Sequence, residues 1–206
     1  MGLLHALAQQ FRRPSGFLGR LVGLFFRINR EGIDWTVGLL DIRPTDHVLE
    51  IGFGPGHAIR QVATLAAQGR VAGVDFSETM VRQARRRNAA AIATGRVELH
   101  QGEASALPYP DNSFDKAFAT NVVYFWRDPA ANLTEIKRVL KPGGRLALYV
   151  IAKEELAEYK LTQTGVYTLY SGDELARLLA QAGFRHARFE IKAERFRTGI
   201  CALAER

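Results

Sequence analysis

The chain brings one acid and three alternating glycines into a single short stretch, Val48-Leu49-Glu50-Ile51-Gly52-Phe53-Gly54-Pro55-Gly56. Glycine has no Cβ and reaches backbone torsions closed to other residues. The stretch therefore reads as a buried strand opening into a loop that a ligand can approach closely. The spacing sorts the possible ligands. A dinucleotide fingerprint, G-x-G-x-x-G, needs its last two glycines three apart, whereas these are two apart, and no G-x-x-x-x-G-K-[ST] phosphate loop is present. A carboxylate at Glu50 would repel a pyrophosphate but suits an α-amino group such as that of a methionine moiety. The pattern favours a cationic, phosphate-free cofactor over a glycine turn without a ligand. Asp75 comes about twenty residues later, where an acid at a strand end can take two ribose hydroxyls. Its other possible use is to cap the next helix, but Ser77 already offers that cap. Gln101-Gly102-Glu103-Ala104 adds a polar side chain and backbone amides that could meet an adenine edge.

Positioning such groups takes a scaffold, and from His47 onward the hydrophobic pattern alternates strand and helix. Residues 48–51, 71–74, 97–100, 114–119 and 145–151 read as strands. Helices are expected over 57–67, closed by Gly69, and from Ser77 to about residue 93, ended by Gly95. Asp128-Pro129 should start another helix, with Leu133, Ile136 and Leu140 as its buried stripe. Lys141-Pro142-Gly143-Gly144 reads as a tight turn, and residues 171–182 as a last helix ended by Gly183. Residues 184–191 and 197–204 form two strands with no helix between them, so they should pair antiparallel. The expectation is a doubly wound α/β fold with a mostly parallel sheet.

Residues 1–43 differ from the rest. The first 30 carry Arg12, Arg13, Arg20, Arg27 and Arg30 and no acidic residue. Phe17, Leu18, Leu21, Val22, Phe25 and Ile28 recur at helical spacing, which predicts one or two helices interrupted near residues 14–16 and another over 33–40. The expected organisation is an N-terminal helical cap over 1–43 and a cofactor-binding domain over 44–206.

Four segments in this order resemble the class I S-adenosylmethionine (SAM)-dependent methyltransferases: VLEIGFGPG, VAGVDFSETMVRQAR, GEASALPYPDNSFDKAFATNVVYFW and EIKRVLKPGGRLAL. The nearest resemblance is to the ubiquinone/menaquinone C-methyltransferases and related small-molecule methyltransferases, over roughly residues 46–150. It implies a Rossmann-like sheet of seven strands ordered 3-2-1-4-5-7-6, with the seventh antiparallel. It also implies that Glu50, Gly52, Phe53, Gly54 and Gly56 hold the methionine part of SAM. Asp75 would bind the ribose, Phe76 and Met80 would pack near the adenine, and Gly102, Glu103 and Ala104 would border it. Asn121 would lie beside the methyl-transfer site. The segment Thr120-Asn121-Val122-Val123-Tyr124 lacks the Asn/Asp-Pro-Pro-Tyr/Phe pattern of enzymes that methylate adenine amines or glutamine amides. The single cysteine, Cys201, argues against arsenic methylation and cysteine-relay chemistry.

The acceptor is less defined. A sulfonium methyl needs alignment and exclusion of water, and a general base only if the acceptor must lose a proton. No catalytic residue is assigned. Tyr124, Phe125 and Trp126 could line an aromatic acceptor pocket or fill core. His57 could be a base or a surface histidine at a helix start. Tyr159, Tyr167 and Tyr170 lie where the resemblance implies acceptor contacts. Arg82, Arg85, Arg86 and Arg87 read as a solvated helix face.

Bulk properties bound these readings. The 206 residues suit one α/β domain, and one cysteine excludes an intramolecular disulfide and a cysteine-rich metal site. No metal is expected. The charge of +7 is compatible with nucleic acid, anionic lipid or no specific partner. With no membrane span or signal peptide in the pattern, a cytoplasmic enzyme with a small-molecule acceptor and no nucleic-acid partner is expected. The alternatives are a membrane-surface enzyme acting on a lipid or quinone, because the N-terminus is basic and amphipathic, and a SAM-binding protein without catalysis.

Overall fold

A computed structural model describes residues 2–14 and 30–206. The predicted stripe Phe17–Ile28 therefore lies outside the described residues. The described chain opens with α1 (Leu3–Arg12) and α2 (Arg30–Leu40). It then alternates β1 (His47–Ile51), α3 (His57–Leu65), β2 (Arg70–Asp75), α4 (Glu78–Arg87), α5 (Ala89–Ala93), β3 (Val97–Gln101) and β4 (Phe114–Thr120). There follow α6 (Pro129–Val139), β5 (Leu140–Ile151), α7 (Lys153–Ala157), α8 (Gly172–Gln181), β6 (Arg185–Ala193) and β7 (Thr198–Glu205).

The seven strands form one sheet in the order β3-β2-β1-β4-β5-β7-β6. β7 alone runs antiparallel to its neighbours, pairing Tyr149↔Cys201 on one side and Ile191↔Ile200 on the other. This is the expected fold. The strands alternate their apolar side chains between two buried layers, which is why both faces of the sheet carry helices. Val48, Phe118, Ala147 and Leu203 face α2, α3 and α4, meeting Val37, Leu40, Ile59, Val62 and Ala84. Leu49, Ala117, Leu146 and Ala202 face α6 and α8, meeting Leu133, Ile136, Leu175 and Leu179.

The helix ends follow the sequence signals. The Ser77 hydroxyl accepts from Met80 N–H at 3.4 Å, and Asp128 accepts from Ala131 N–H at 2.9 Å with Pro129 at the first helical position. Ser171 and Glu174 make a reciprocal capping box at α8. Two elements depart from the pattern. α6 stops at Val139, so Leu140, expected in its stripe, opens β5, and the expected turn 141–144 becomes an irregularity within that strand. The helix after Ser77 is broken. The single run expected to residue 93 breaks at Asn88, whose amide donates to Ala84 O at 2.9 Å and to Gly56 O at 3.1 Å. That tertiary bond ties α4 to the glycine loop. Helix propensity does not register it.

Candidate functional site

The carboxyl ends of β1, β2 and β4 open onto a cavity of about 620 Å³. It forms there because β1 sits centrally, with β2 leaving on one side and β4 on the other, so the loops diverge. Gly52 adopts φ +69°, and an added Cβ would stand 2.4 Å from Val122 Cγ2. Only glycine allows the β1 loop to pass so close to the loop after β4. At Gly54 an added Cβ would meet open space, and its N–H donates 2.8 Å to Asp75 Oδ2. Asp75 Oδ1 accepts from Ser77 N–H at 2.8 Å. One carboxylate thus fastens the glycine loop to the start of α4.

Of the residues the sequence singled out for the cofactor, all but Gly56 border this cavity. Gly56 stands behind it, closing the turn with a 2.9 Å bond from its N–H to Phe53 O. Glu50 is 2% exposed and its Oε2 has no hydrogen-bond partner among the described residues. Burial first, then the neighbouring Asp75 charge, pushes the Glu50 carboxyl up to about 8. Burial also lifts Asp75 to about 6, against the two backbone N–H bonds that pull it down. Two acids desolvated side by side are costly unless a cation joins them. The loop carrying Gly102–Ala104 is braced from α6. Glu135 accepts from Leu107 N–H at 2.9 Å, and Arg138 donates to Tyr109 O at 2.9 Å.

Asn121 follows β4 directly, in the left-handed region at φ +57°. Its Oδ1 accepts from the Tyr124 hydroxyl at 3.1 Å, while that hydroxyl oxygen accepts from Ile151 N–H. The tyrosine has one proton, so these bonds fix the asparagine with its amide nitrogen as the donor left over. That Nδ2 is buried and unpartnered among the described residues. The aromatic run divides its roles. Tyr124 is buried in the core and packs against Tyr167 at 6.1 Å, whereas Phe125 and Trp126 line the cavity. Tyr167 reaches the wall only through Phe125, with ring centroids 4.8 Å apart. Tyr159 is 62% exposed. His57 lines the cavity at the start of α3.

The sequence places an N-terminal cap over residues 1–43 and points to the stripe of residues 17–28 as its buried face, but it does not show which residues of α1 and its C-terminal end form the wall. Gln9, Phe11, Arg12, Arg13 and Pro14 all border the cavity. Both ends of α1 are tied down. Pro14 O accepts from the Ser77 hydroxyl at 2.6 Å, and the Arg13 guanidinium lies 5.8 Å from the Phe76 ring centroid. At the other end His5 Nδ1 lies 3.2 Å from Thr164 O. α1 therefore spans the cleft from the Asp75 side to the segment after α7. Burial and then the nearby Arg127 depress the Arg12 guanidinium. No motif marks these contacts. Pro14, where the helical pattern stops, is the one local signal.

Other candidates fall away from the site. Arg82 pairs with Glu78, Arg85 donates to Leu99 O at 2.9 Å, and Arg87 donates to Pro55 O, all from an exposed helix face. Cys201 is buried, which pushes its thiol up to about 12. Among the described residues no His/Cys/Asp/Glu cluster fits a metal ion, and no helix is long and apolar enough to cross a membrane.

A family model described as a methyltransferase domain matches residues 49–148. A Bacillus subtilis protein named as an uncharacterized methyltransferase, YdaC, is 30% identical over 84% of this chain and 90% of its own length. A demethylmenaquinone methyltransferase of Lactiplantibacillus plantarum is 29% identical, covering 98% and 92%. Two further relatives are matched over only 45% and 41% of their own lengths. A SAM-dependent methyltransferase from Aquifex aeolicus shares the fold, with a TM-score of 0.73 at 22% identity over 98% of this chain and 97% of that one.

Proposed function

The chain belongs to the SAM-dependent methyltransferases, and from that premise we propose that it methylates a small-molecule acceptor enclosed between the glycine loop and α1. The observation that carries this reading is the unpartnered Glu50 oxygen, buried next to Asp75 beneath a loop whose Gly54 leaves space for a ligand. A cationic amino-acid end supplies the missing charge, and a ribose beside Asp75 can share its carboxylate with the Gly54 and Ser77 N–H groups. Phe76 and Met80 offer apolar surface for the adenine, with Gly102, Glu103 and Ala104 along its edge. When bound, SAM supplies an activated sulfonium methyl. The protein's own work is alignment and exclusion of water. Phe125 and Trp126 give the acceptor an apolar wall, and Asn121 Nδ2 is a donor placed to orient an acceptor oxygen.

Residues 1–43 act as the cap in this proposal. α2 is its anchor, since Val37 and Leu40 are buried against the sheet, and α1 is the part that closes the cleft. The L. plantarum relative is named for demethylmenaquinone, which supports an apolar aromatic acceptor class here. Isothermal titration tests the cofactor half of the reading. SAM and its demethylated product should bind in the micromolar range and NAD negligibly. Transfer of labelled methyl from SAM to pooled phenols, quinols and amines tests the acceptor half. NAD binding without SAM binding would sink the proposal.

A further inference from the structure

The two sides of α1 differ in a way that cavity closure does not explain. One side carries Gln9 and Arg12 into the cavity wall, which Phe11 also reaches from the last turn of the opposite side. The other leaves Leu3 87%, Leu4 45% and Leu7 41% exposed. Leu3 and Leu7 stand one turn apart on the same face, with Leu4 beside them. Only seven large apolar side chains are that exposed among the described residues, and three of them share this ten-residue helix. Leucines turned outward at such density mark a contact surface.

Charge and area indicate what occupies it. No acidic residue precedes Glu31, while Arg12, Arg13, Arg20, Arg27 and Arg30 lie in the same stretch, and the whole chain carries +7. A like-charged second copy is disfavoured at such an end. Three leucines also fall far short of the roughly 1,200 Å² or more that a stable protein interface buries. A bilayer requires no complementary shape. It takes up aliphatic side chains singly, and an anionic headgroup layer attracts each nearby arginine. We infer that the outer face of α1 docks this enzyme onto an anionic lipid surface. The same helix then presents the cavity mouth to the bilayer, so an apolar acceptor enters from lipid. That consequence rests on the proposed cap, whereas the docking itself rests only on the outer face.

Vesicle sedimentation with the full chain tests it. The protein should pellet with equimolar phosphatidylglycerol/phosphatidylcholine vesicles at low salt and stay in solution with phosphatidylcholine alone. The Leu3→Glu/Leu7→Glu double variant should lose at least about tenfold in vesicle affinity, as expected for two apolar side chains kept out of lipid. A Leu65→Glu control, at an exposed leucine on α3, should not change it. SAM titration should be the same for the wild type and the double variant. Failure of the wild type to bind SAM would break the methyltransferase reading and leave docking standing. Absence of binding to anionic vesicles, or equal binding by the double variant, would overturn docking. So would a wild-type dimer in sedimentation velocity that the double variant loses, since a second copy would then be the occupant. A lowered melting temperature with unchanged vesicle binding would place the leucines against the protein's own chain.

Discussion

The two walls of the cleft are made differently. On the glycine-loop side, backbone does the work. Gly54 N–H and Ser77 N–H both converge on Asp75, Gly52 lies against Val122, and β1 and β2 beneath are buried beyond their first residues. On the α1 side, single side chains reach single carbonyls, Ser77 to Pro14 and His5 to Thr164, and aromatic rings supply the surface. A ligand common to the whole family can be met by fixed backbone. An acceptor that differs between members is better met by side chains and a tethered helix, which change without disturbing the sheet. Lesions in the first wall should therefore act mainly on cofactor affinity, and lesions in the second mainly on turnover.

Removing residues 1–29 is the strongest test of that division. Turnover should fall by roughly a hundredfold or more, because acceptor alignment and water exclusion go together. Circular dichroism should stay native and SAM should still bind, though more weakly. An unfolded product would make α1 core, and full activity would remove the cap. Gly52→Ala attacks the other wall. Its methyl must displace Val122 at a positive φ, so SAM affinity should drop by about 3 kcal/mol by titration, with a lower melting temperature. Retained affinity would show that the loop is softer than its contacts imply.

Asp75→Ala should cost about 1–3 kcal/mol of cofactor affinity by calorimetry, since the donors it serves lose their acceptor. Unchanged affinity in a folded variant would move the ribose elsewhere. The smallest effect concerns Glu50 and is read against pH. Its folded carboxyl is raised to about 8, so between the ordinary 4.5 and 8 the folded cofactor-free protein holds a proton that the unfolded chain has released. Stability from this group is therefore full at low pH and lost as pH rises through 8. Affinity for a cationic ligand should rise over the same interval. Glu50→Gln should flatten both profiles, raise the melting temperature at pH 8 without ligand, and weaken SAM by about tenfold, as for loss of one charged hydrogen bond. A Gln variant with the wild-type pH profile would assign the titration to another group.

The same division governs how much could be read in advance. The strand–helix alternation, the antiparallel last pair and the glycine loop were legible because they rest on local requirements, such as apolar alternation, glycines at a strand end and an acid about twenty residues on. The order of the strands came only with the family resemblance. Tyr124 was ambiguous because its hydroxyl bonds, to Asn121 and Ile151, join positions 27 residues apart at the farther contact. The break at Asn88 had the same origin, since its partner Gly56 is 32 residues away. The α1 wall was invisible because its inward residues, Gln9 to Pro14, share no chemistry. They share only a position, which two tethers set.

The sheet order also has a consequence in time. β7 lies between β5 and β6, so β6 emerges from the ribosome before β7, its one partner strand among the described residues, exists. Until residues 198–205 arrive, β6 has no ladder and β5 keeps an open edge ready for any passing strand. Six residues of β7, Gly199–Ala204, are buried in the finished sheet. β7, made after both its neighbours, is thus an interior strand, and the nascent protein stays open to mispairing at β5 until β7 inserts.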